Sequence, residues 1–553
     1  DHNAQETGWW TNYPKYFVSL MKAWYGDAAT KENNWGYDYL PKISGNYSDL
    51  QLFVNMKDDQ IKGFFFLGQN SAAGGVNAGF HRAAMEHLDW MVIRDLYDVE
   101  TACYWKRPGI NPKDIKTEVF FLPAASHVEK EGSFTNTQRL IQWRDKAIEP
   151  ADDARSENWF IAELYERLHK MYANSTKKRD EPIQKLYWPY RREGEKREPV
   201  VDDIVKEING YTIADQKVVP TFTSLKDDGS TACGCWIFSG MMPKEGDNVS
   251  RHRNPDKYVS LDWGFTWPSN RHILYNRASA DPDGKPWSER KKYVWWDPDH
   301  DNGDGTKGHW VGYDVPDFEL TKPPTKKGDP NGSGMAALSG ADPFTMNPEG
   351  RARLFVPSGL TDGPLPTHYE PVESPVHNQL YPKQTHDPVL IYWNRPDNPQ
   401  NGVDTPEFPY VITTYRLTEH HVGGAMTRWL PWLSELQPEL FAEISEQLAA
   451  EKGIKQGDWM TIWTKRGEVE AKAMVTRRIQ PLQIAGRTVH QIGLPFHWGY
   501  AGVVTGDIAN DLLLLVADRN VGMHDAKAFT CNIRPGRRDH PNEDGSFVAR
   551  EKP

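Results

Sequence analysis

Arg416, Thr418, Glu419, His420 and His421 crowd together in the chain, and Gly423 and Gly424 then let the backbone turn. A guanidinium offers a bidentate fork to phosphate or carboxylate, and backbone N–H groups in a glycine-bearing turn form an anion nest. This hardware suits an anionic, heteroatom-rich ligand. A surface loop with a histidine pair would read the same way, and the surrounding chain decides between the two. The run Tyr410-Val411-Ile412-Thr413-Thr414 is apolar and β-branched, which predicts a buried strand ending where the reactive side chains begin.

A second stretch of this kind lies near the start. Ile61–Leu67 is an apolar run that predicts a buried strand, and Gly68-Gln69-Asn70-Ser71-Ala72-Ala73-Gly74-Gly75 is a small-residue loop. Ala78–His87 reads as a helix and Trp90–Arg94 as a second strand ending on Asp95. The pattern is βαβ with a glycine-rich loop after its first strand. Backbone amides and a helix N-terminus in such a loop can face a phosphate. The loop is not G-x-G-x-x-G, so it does not support a nicotinamide site. Glu118–Leu122 is a further strand, and a helix spans Asn158–Tyr172. Asp95 and Asn158 stand beside buried elements, where open α/β sheets place ligand contacts and where Asp and Asn also serve as caps and turn formers.

The 553 residues allow two to four domains, and the formal net charge of −11 lacks the footprint of a nucleic-acid binder. No apolar stretch approaches the length of a membrane span, and Asp1 opens into polar sequence without a signal-peptide pattern. That start fits a mature, processed or fragmentary chain. The four cysteines, Cys103, Cys233, Cys235 and Cys531, give neither a disulfide framework nor the spacing of a zinc or iron–sulfur site. Cys233-Gly234-Cys235 reads as a turn before a strand, Trp236-Ile237-Phe238. The 22 Trp and 40 Pro predict long, well-packed irregular segments.

The expected architecture has three parts: an α/β region over 1–242, a Gly/Pro/Trp-rich insertion over 243–385, and a β-rich domain over 386–553. In the insertion, Asp297, Asp299 and Asp301 alternate as in calcium loops, but the glycine falls one place late and the closing Glu is missing. A solvated acidic turn and a calcium site are the two readings. In the last part, strands are expected at Val389–Trp393 and Tyr410–Tyr415, and a helix at Pro438–Lys452 striped by Leu440, Ile444 and Leu448. Strands at Trp459–Lys465 and Val469–Val475 join through Arg466-Gly467, a barrel-forming pattern.

These stretches together resemble the C-terminal half of the catalytic subunit of molybdenum- or tungsten-dependent formate dehydrogenases, in the dimethyl sulfoxide reductase superfamily. The resemblance runs through essentially the whole chain. It is carried by Lys31–Asp38, Leu225–Gly229, Leu274–Asp281, His368–Pro371, Thr414–His420 and Ile492–Gly499, and it is similar to the exported respiratory type with the long insertion. It implies a Rossmann-like α/β dinucleotide-binding domain followed by a double-psi-like β-barrel. It also implies a bis-molybdopterin guanine dinucleotide cofactor with Mo or W.

By the resemblance, Gly68, Gln69, Asn70, Gly74, Arg94, Asp95 and Asn158 lie near a guanosine or its phosphates. Thr414, Arg416, Leu417, Thr418, His420 and Thr427 match the pterin and pyrophosphate loop. His497, Trp498, Asn510 and Lys527 match later cofactor contacts. Arg94 stands where a cytoplasmic relative has a neutral residue, and Asn158 replaces its Asp. The family's metal-bound selenocysteine or cysteine, its histidine, its formate-binding arginine and its [4Fe–4S] cysteines all precede the matched region, so no catalytic residue is expected here. The implied partners are the N-terminal part of the catalytic subunit, which holds the [4Fe–4S] cluster, and an iron–sulfur electron-transfer subunit, with room for a cytochrome. The implied setting is the periplasm. The competing readings are a non-catalytic pterin-binding module, a nitrate- or polysulfide-type oxidoreductase, and a carbohydrate binder that would leave the βαβ unit unexplained.

Overall fold

The computed structural model describes residues 9–42, 45–135, 139–254, 262–270, 272, 275–312, 319–332, 336–345, 360–361, 370–382, 389–526 and 528–538. The chain forms two compact units, Asp1–Ile43 with Ala125–Leu354, and Ser44–Ala124 with Phe355–Pro553. By contacts, therefore, residues 44–124 group with 355–553. Among the described residues no helix is long and apolar enough to cross a membrane.

The second unit combines a parallel sheet and a closed barrel. Helix α1 (Asp49–Lys57) precedes strand β1 (Gly63–Leu67), helix α2 (Ala78–Met85), strand β2 (Trp90–Asp95) and strand β3 (Glu118–Pro123). The strands lie in the order β1-β2-β3, all parallel, with Phe66 opposite Ile93 and Ile93 opposite Phe121. Parallel strands require crossovers, and α2 supplies the first. Asn77 starts α2 in a left-handed conformation and accepts the Phe80 N–H, satisfying one orphan donor of its first turn.

The barrel strands are β4 (Tyr410–Tyr415), β5 (Phe441–Ser445), β6 (Trp459–Trp463), β7 (Glu468–Thr476), β8 (Gln491–Pro495) and β9 (Ala528–Pro535). They close in the order β4-β8-β5-β7-β6-β9. Two pairings, β4 with β8 and β5 with β7, are parallel, and the rest are antiparallel. Ile412, Ile444, Ile462, Ile492 and Phe529 fill its interior, in one apolar cluster with Phe53, Phe66, Met91 and Ile93 of the α/β part.

In the first unit, a helix over Trp9–Tyr25 and an antiparallel sheet of Gly132–Thr135, Leu140–Arg144 and Phe265–Thr266 organise the described chain. Tryptophan supplies much of its burial without regular structure: Trp236 stacks on Tyr16 at 4.2 Å, and Trp310 is buried with its indole N–H on the Lys322 carbonyl.

Three expectations are corrected. Pro438–Lys452 is not one helix, because Phe441–Ser445 is a barrel strand buried along its whole length and only Glu446–Lys452 is helical. The stripe Leu440, Ile444, Leu448 arises by coincidence across a strand and the helix that Ser445 caps by accepting the Leu448 N–H. Trp236–Phe238 is a 3₁₀ turn rather than a strand, and Val389–Trp393 contributes only a two-residue strand, Leu390–Ile391. Neither has a long partner to pair with.

Ala442 separates the two accounts of this segment. It would face away from the stripe of a 440–448 helix, whereas here it is fully buried. Ala442→Leu should therefore overpack the barrel and cost about 1–3 kcal/mol, read as a lower denaturant midpoint.

Candidate dinucleotide-binding site

The two loops singled out for their chemistry meet within the second unit, around a carboxylate outside every sequence expectation. Glu100 and Arg428 are both wholly buried and pair at 2.7 Å. Glu100 Oε1 also accepts the Ala501 N–H at 3.1 Å, and its Oε2 accepts from Asn70 Nδ2 at 2.7 Å. Arg428 donates its second terminal nitrogen to the Ala501 carbonyl. One carboxylate thus ties the loop after β1, the loop after β4 and the segment after β8. A Cβ at residue 499 would overlap Glu100 Oε1, so Gly499 is required by this approach.

Around this hub, many of the residues expected from sequence spend their side chains on internal bonds. Asn70 Oδ1 accepts from the Thr101 backbone at 3.0 Å and hydroxyl at 3.1 Å. Asn510 donates to the carbonyls of Ala73 and Gly74 at 3.1 and 2.9 Å. Beside it, Asp511 pairs with Arg82 at 2.8 Å, and Arg82 donates to the Ala72 carbonyl. The loop Ser71–Gly74 is therefore held from the barrel side as well as by its own strand.

The histidines are locked in single tautomers. His497 Nε2 accepts the Leu417 N–H at 2.7 Å, and Nδ1 donates to the Val422 carbonyl. His420 Nε2 donates to the Gln437 carbonyl at 2.9 Å, leaving Nδ1 to accept from the Thr427 hydroxyl at 3.1 Å. That hydroxyl oxygen in turn accepts the His421 N–H. Burial pushes His497 down to about 4 and lowers His420, so both rings are neutral near pH 7. Trp498 is buried edge-on to His420 at 5.3 Å.

The groups left facing outward form a different set. Arg416 and Thr418 are exposed, and Arg416 lies over the Phe496 ring at 4.6 Å with no carboxylate partner among the described residues. A Cβ built on Gly68, Gly74 or Gly423 meets nothing within 4 Å. Gly68 has φ +68° and Gly424 φ +74°, and a Cβ on Gly424 would overlap the His497 carbonyl. Gln69 is exposed at the same turn.

The remaining expected residues stand on separate elements. Arg94 is buried at the end of β2, and its carbonyl accepts the Gly68 N–H. Asp95 closes β2 and accepts the Leu96 N–H, while burial raises its carboxyl above the usual range. Thr414 lies near the end of β4. Asn158 belongs to the first unit, exposed in the first turn of the helix Glu157–Tyr172 and on the wall of a cavity of about 320 Å³ with Lys130 and Trp143. Lys527 lies outside the described residues. Asp297, Asp299 and Asp301 stand on one strand of the hairpin Val294–Asp301/Lys307–Gly312, where the register shifts between Asp297 and Asp301 and the Asp297 carboxylate accepts the Asp299 N–H. Among the described residues no three His, Cys, Asp or Glu side chains gather to hold a metal ion.

Glu100, Thr101 and Arg428 are the functional residues that sequence reading missed. Their signal was present: an acid inside Val99-Glu100-Thr101-Ala102-Cys103, and an arginine directly after Thr427, since charges in small or apolar surroundings are buried in pairs.

Comparison with known proteins says what a closed barrel with loops of this kind is similar to. Residues 410–530 match the molydopterin dinucleotide binding domain, and 120–167 match part of the molybdopterin oxidoreductase family. Over nearly its whole length the chain is similar to formate dehydrogenase major (alpha) subunits. It is 39% identical to the nitrate-inducible formate dehydrogenase major subunit of Escherichia coli, over 96% of this chain and 51% of that protein. It is also 39% identical to formate dehydrogenase 2 subunit alpha (cytochrome c-553) of Nitratidesulfovibrio vulgaris, over 95% of this chain and 51% of that protein. The formate dehydrogenase subunit alpha of Megalodesulfovibrio gigas is 39% identical over 96% of this chain and 52% of its own length. The chain spans about half the length of these relatives.

Two predictions follow from the hub and its histidine. Glu100→Gln and Arg428→Met should each destabilise the protein by about 3–5 kcal/mol, because each leaves a buried charge unpaired. The double variant should lose less than the sum, which a double-mutant cycle of denaturation midpoints reads directly. For His497, a folded value near 4 against an ordinary 6.5 means that the unfolded chain takes up the proton first. Its contribution is complete above pH 6.5 and drains as pH falls toward 4. Melting temperature should drop across that window, and His497→Gln should flatten part of the slope.

Proposed function

We propose that this chain is the cofactor-binding portion of a formate dehydrogenase, acting on formate and CO2 with a bis-molybdopterin guanine dinucleotide that carries Mo or W. The observation that supports this most directly is the meeting of the β1 loop and the β4 loop at Glu100–Arg428. That meeting leaves Gly68, Gly74, Arg416, Thr418 and Gly423 turned outward while the neighbouring polar side chains are used internally. This arrangement fits a polyanionic ligand: open glycine backbone admits close approach, and an unpaired guanidinium supplies the charge.

On this reading the parallel sheet is part of a Rossmann-like domain and the barrel is of the double-psi type. The segments 1–242 and 386–553 each carry part of the binding surface, with 243–385 an insertion between them. Arg416 and Thr418 would hold phosphate or pterin oxygens. The backbone at Gly68, Gln69 and Gly74 would face a guanosine phosphate, with Arg94 and Asp95 toward the guanine end. Leu417, His420, Thr427, His497, Trp498 and Asn510 shape the loops, and Lys527 completes the set. When bound, the cofactor supplies the two-electron redox chemistry at its metal, and the protein supplies placement and electrostatics. Neutral His497 and His420 keep positive charge at the loop on Arg416, so anion affinity there does not depend on pH near neutrality.

The metal's protein ligand, the substrate arginine and a [4Fe–4S] cluster would come from the remainder of the catalytic subunit. An iron–sulfur subunit, and a cytochrome such as the one named for the Nitratidesulfovibrio relative, would carry electrons onward in the periplasm.

The test is metal and pterin analysis of the purified complex together with formate-dependent dye reduction. Two pterin guanine dinucleotides per Mo or W, with iron and turnover, are expected; a metal-free, pterin-free complex would sink the proposal. Arg416→Ala should weaken cofactor retention by about 1.5–3 kcal/mol, roughly tenfold to a hundredfold. Its melting temperature without cofactor should match the wild type, because the side chain is exposed.

A further inference from the structure

Arginines lie over aromatic rings at several places on the barrel, and one of them differs from the rest. Arg478, Arg534 and Arg537 sit over Tyr415, Trp463 and Trp459 at 5.7, 5.1 and 4.7 Å. Each also donates N–H groups to a carboxylate, Glu443, Glu468 and Glu470 in turn. Arg416 lies over the Phe496 ring at 4.6 Å, is exposed, and has no carboxylate partner among the described residues. A guanidinium stacked on a ring uses its face, and its N–H donors stay free around its edge. A carboxylate would occupy those same donors.

The ring beneath Arg416 is held by the backbone around it. Strands β4 and β8 are parallel with Tyr415 opposite Pro495, so Arg416 and Phe496 are the next residues along the two chains. One position further, His497 Nε2 accepts the Leu417 N–H at 2.7 Å, which ties the chains together past the ends of both strands. Phe496 and Leu417 pack against the barrel's apolar cluster, and the His497 ring lies 4.9 Å from that of Phe496. Phe496 therefore packs on the core and carries the guanidinium as well. An exposed arginine without such support samples many rotamers, and fixing it on binding costs affinity. A platform that fixes it beforehand removes part of that cost.

We propose that Phe496 is a positioning residue for the anionic cofactor, its ring holding the Arg416 guanidinium in place with the donor edge free for phosphate oxygens. The inference rests on the proposed function, in which Arg416 binds phosphate or pterin oxygens, and it adds what orients that side chain. It also accounts for arginine at this position. A lysine over the same ring would bring a point charge in place of a planar fork.

The experiment measures the rate at which pterin leaves the purified, cofactor-loaded complex, read by pterin fluorescence. The variants are Phe496→Leu, Phe496→Tyr, Arg416→Ala, and Phe496→Leu combined with Arg416→Ala, each with its melting temperature taken without cofactor. Phe496→Leu should release the cofactor about threefold to tenfold faster, the effect of a lost cation–π contact and a newly mobile arginine. Phe496→Tyr keeps a ring face and should release it at the wild-type rate. Because Phe496 packs on the core, Phe496→Leu should also lower the melting temperature, by nearly the same amount with or without Arg416. Release separates the two roles: in the Arg416→Ala background, Phe496→Leu should accelerate it no further, because the group it positions is gone. Equal acceleration in both backgrounds would reduce Phe496 to packing and overturn the inference. Wild-type release from Phe496→Leu or from Arg416→Ala would overturn it too, and each of these results leaves the proposed function standing. A wild-type complex that carries no pterin would overturn both.

Discussion

A guanidinium and a carboxylate, both removed from water, decide where the loops of the second unit sit. Either charge alone in that interior costs about 3–5 kcal/mol, so the two are held as a pair. Because Glu100 also accepts from Asn70 and from the Ala501 backbone, one ion pair sets the position of three segments. The remaining order follows from that: Gly499 must lack a side chain, and Thr427, one residue before Arg428, comes within reach of His420.

This constraint separates two kinds of residue that look alike in sequence. Asn70, Asn510, His420 and His497 have ligand-binding chemistry, yet their polar atoms are turned inward to carbonyls, hydroxyls and amides of the protein. They act as framework. The surface they frame is glycine backbone with Arg416, Thr418 and Gln69, a composition suited to the large polyanion proposed above. A rigid frame around a sparse binding surface suits a ligand that is retained rather than exchanged at each turnover.

Much of this was legible in the chain. The strand β2 and both ends of the β1 loop follow from short apolar runs broken by small residues, and the hairpin from β6 to β7 follows from Arg466-Gly467 between alternating runs. The helix reading of Pro438–Lys452 failed because residues at i, i+4 and i+8 match a helical stripe, whereas here a strand ends and a helix begins inside that window. Closure of the barrel, a non-local condition, decided for the strand. The hub was illegible for a related reason: Glu100 and Arg428 are 328 residues apart, and local pattern carries no information about such a pairing. Asn158 and the alternating aspartates show the converse. Their residue types were suggestive, but Asn158 stands in the first turn of a helix of the first unit, and the aspartates lie in a hairpin whose register shifts between Asp297 and Asp301.

The second unit is discontinuous, with Ser44–Ala124 emerging long before Phe355–Pro553. During synthesis, the parallel sheet and its glycine loop leave the ribosome without the arginine that will neutralise Glu100, and the intervening unit must be translated first. Loop closure over that distance is entropically expensive, which makes formation of this region a late event in folding. The early segment meanwhile carries an unmatched acid and exposed apolar side chains such as Leu67 and Phe120, the profile of a chaperone client. The proposed cofactor, binding across both segments, would have no site until the later segment has been translated, so its insertion would follow synthesis of that segment.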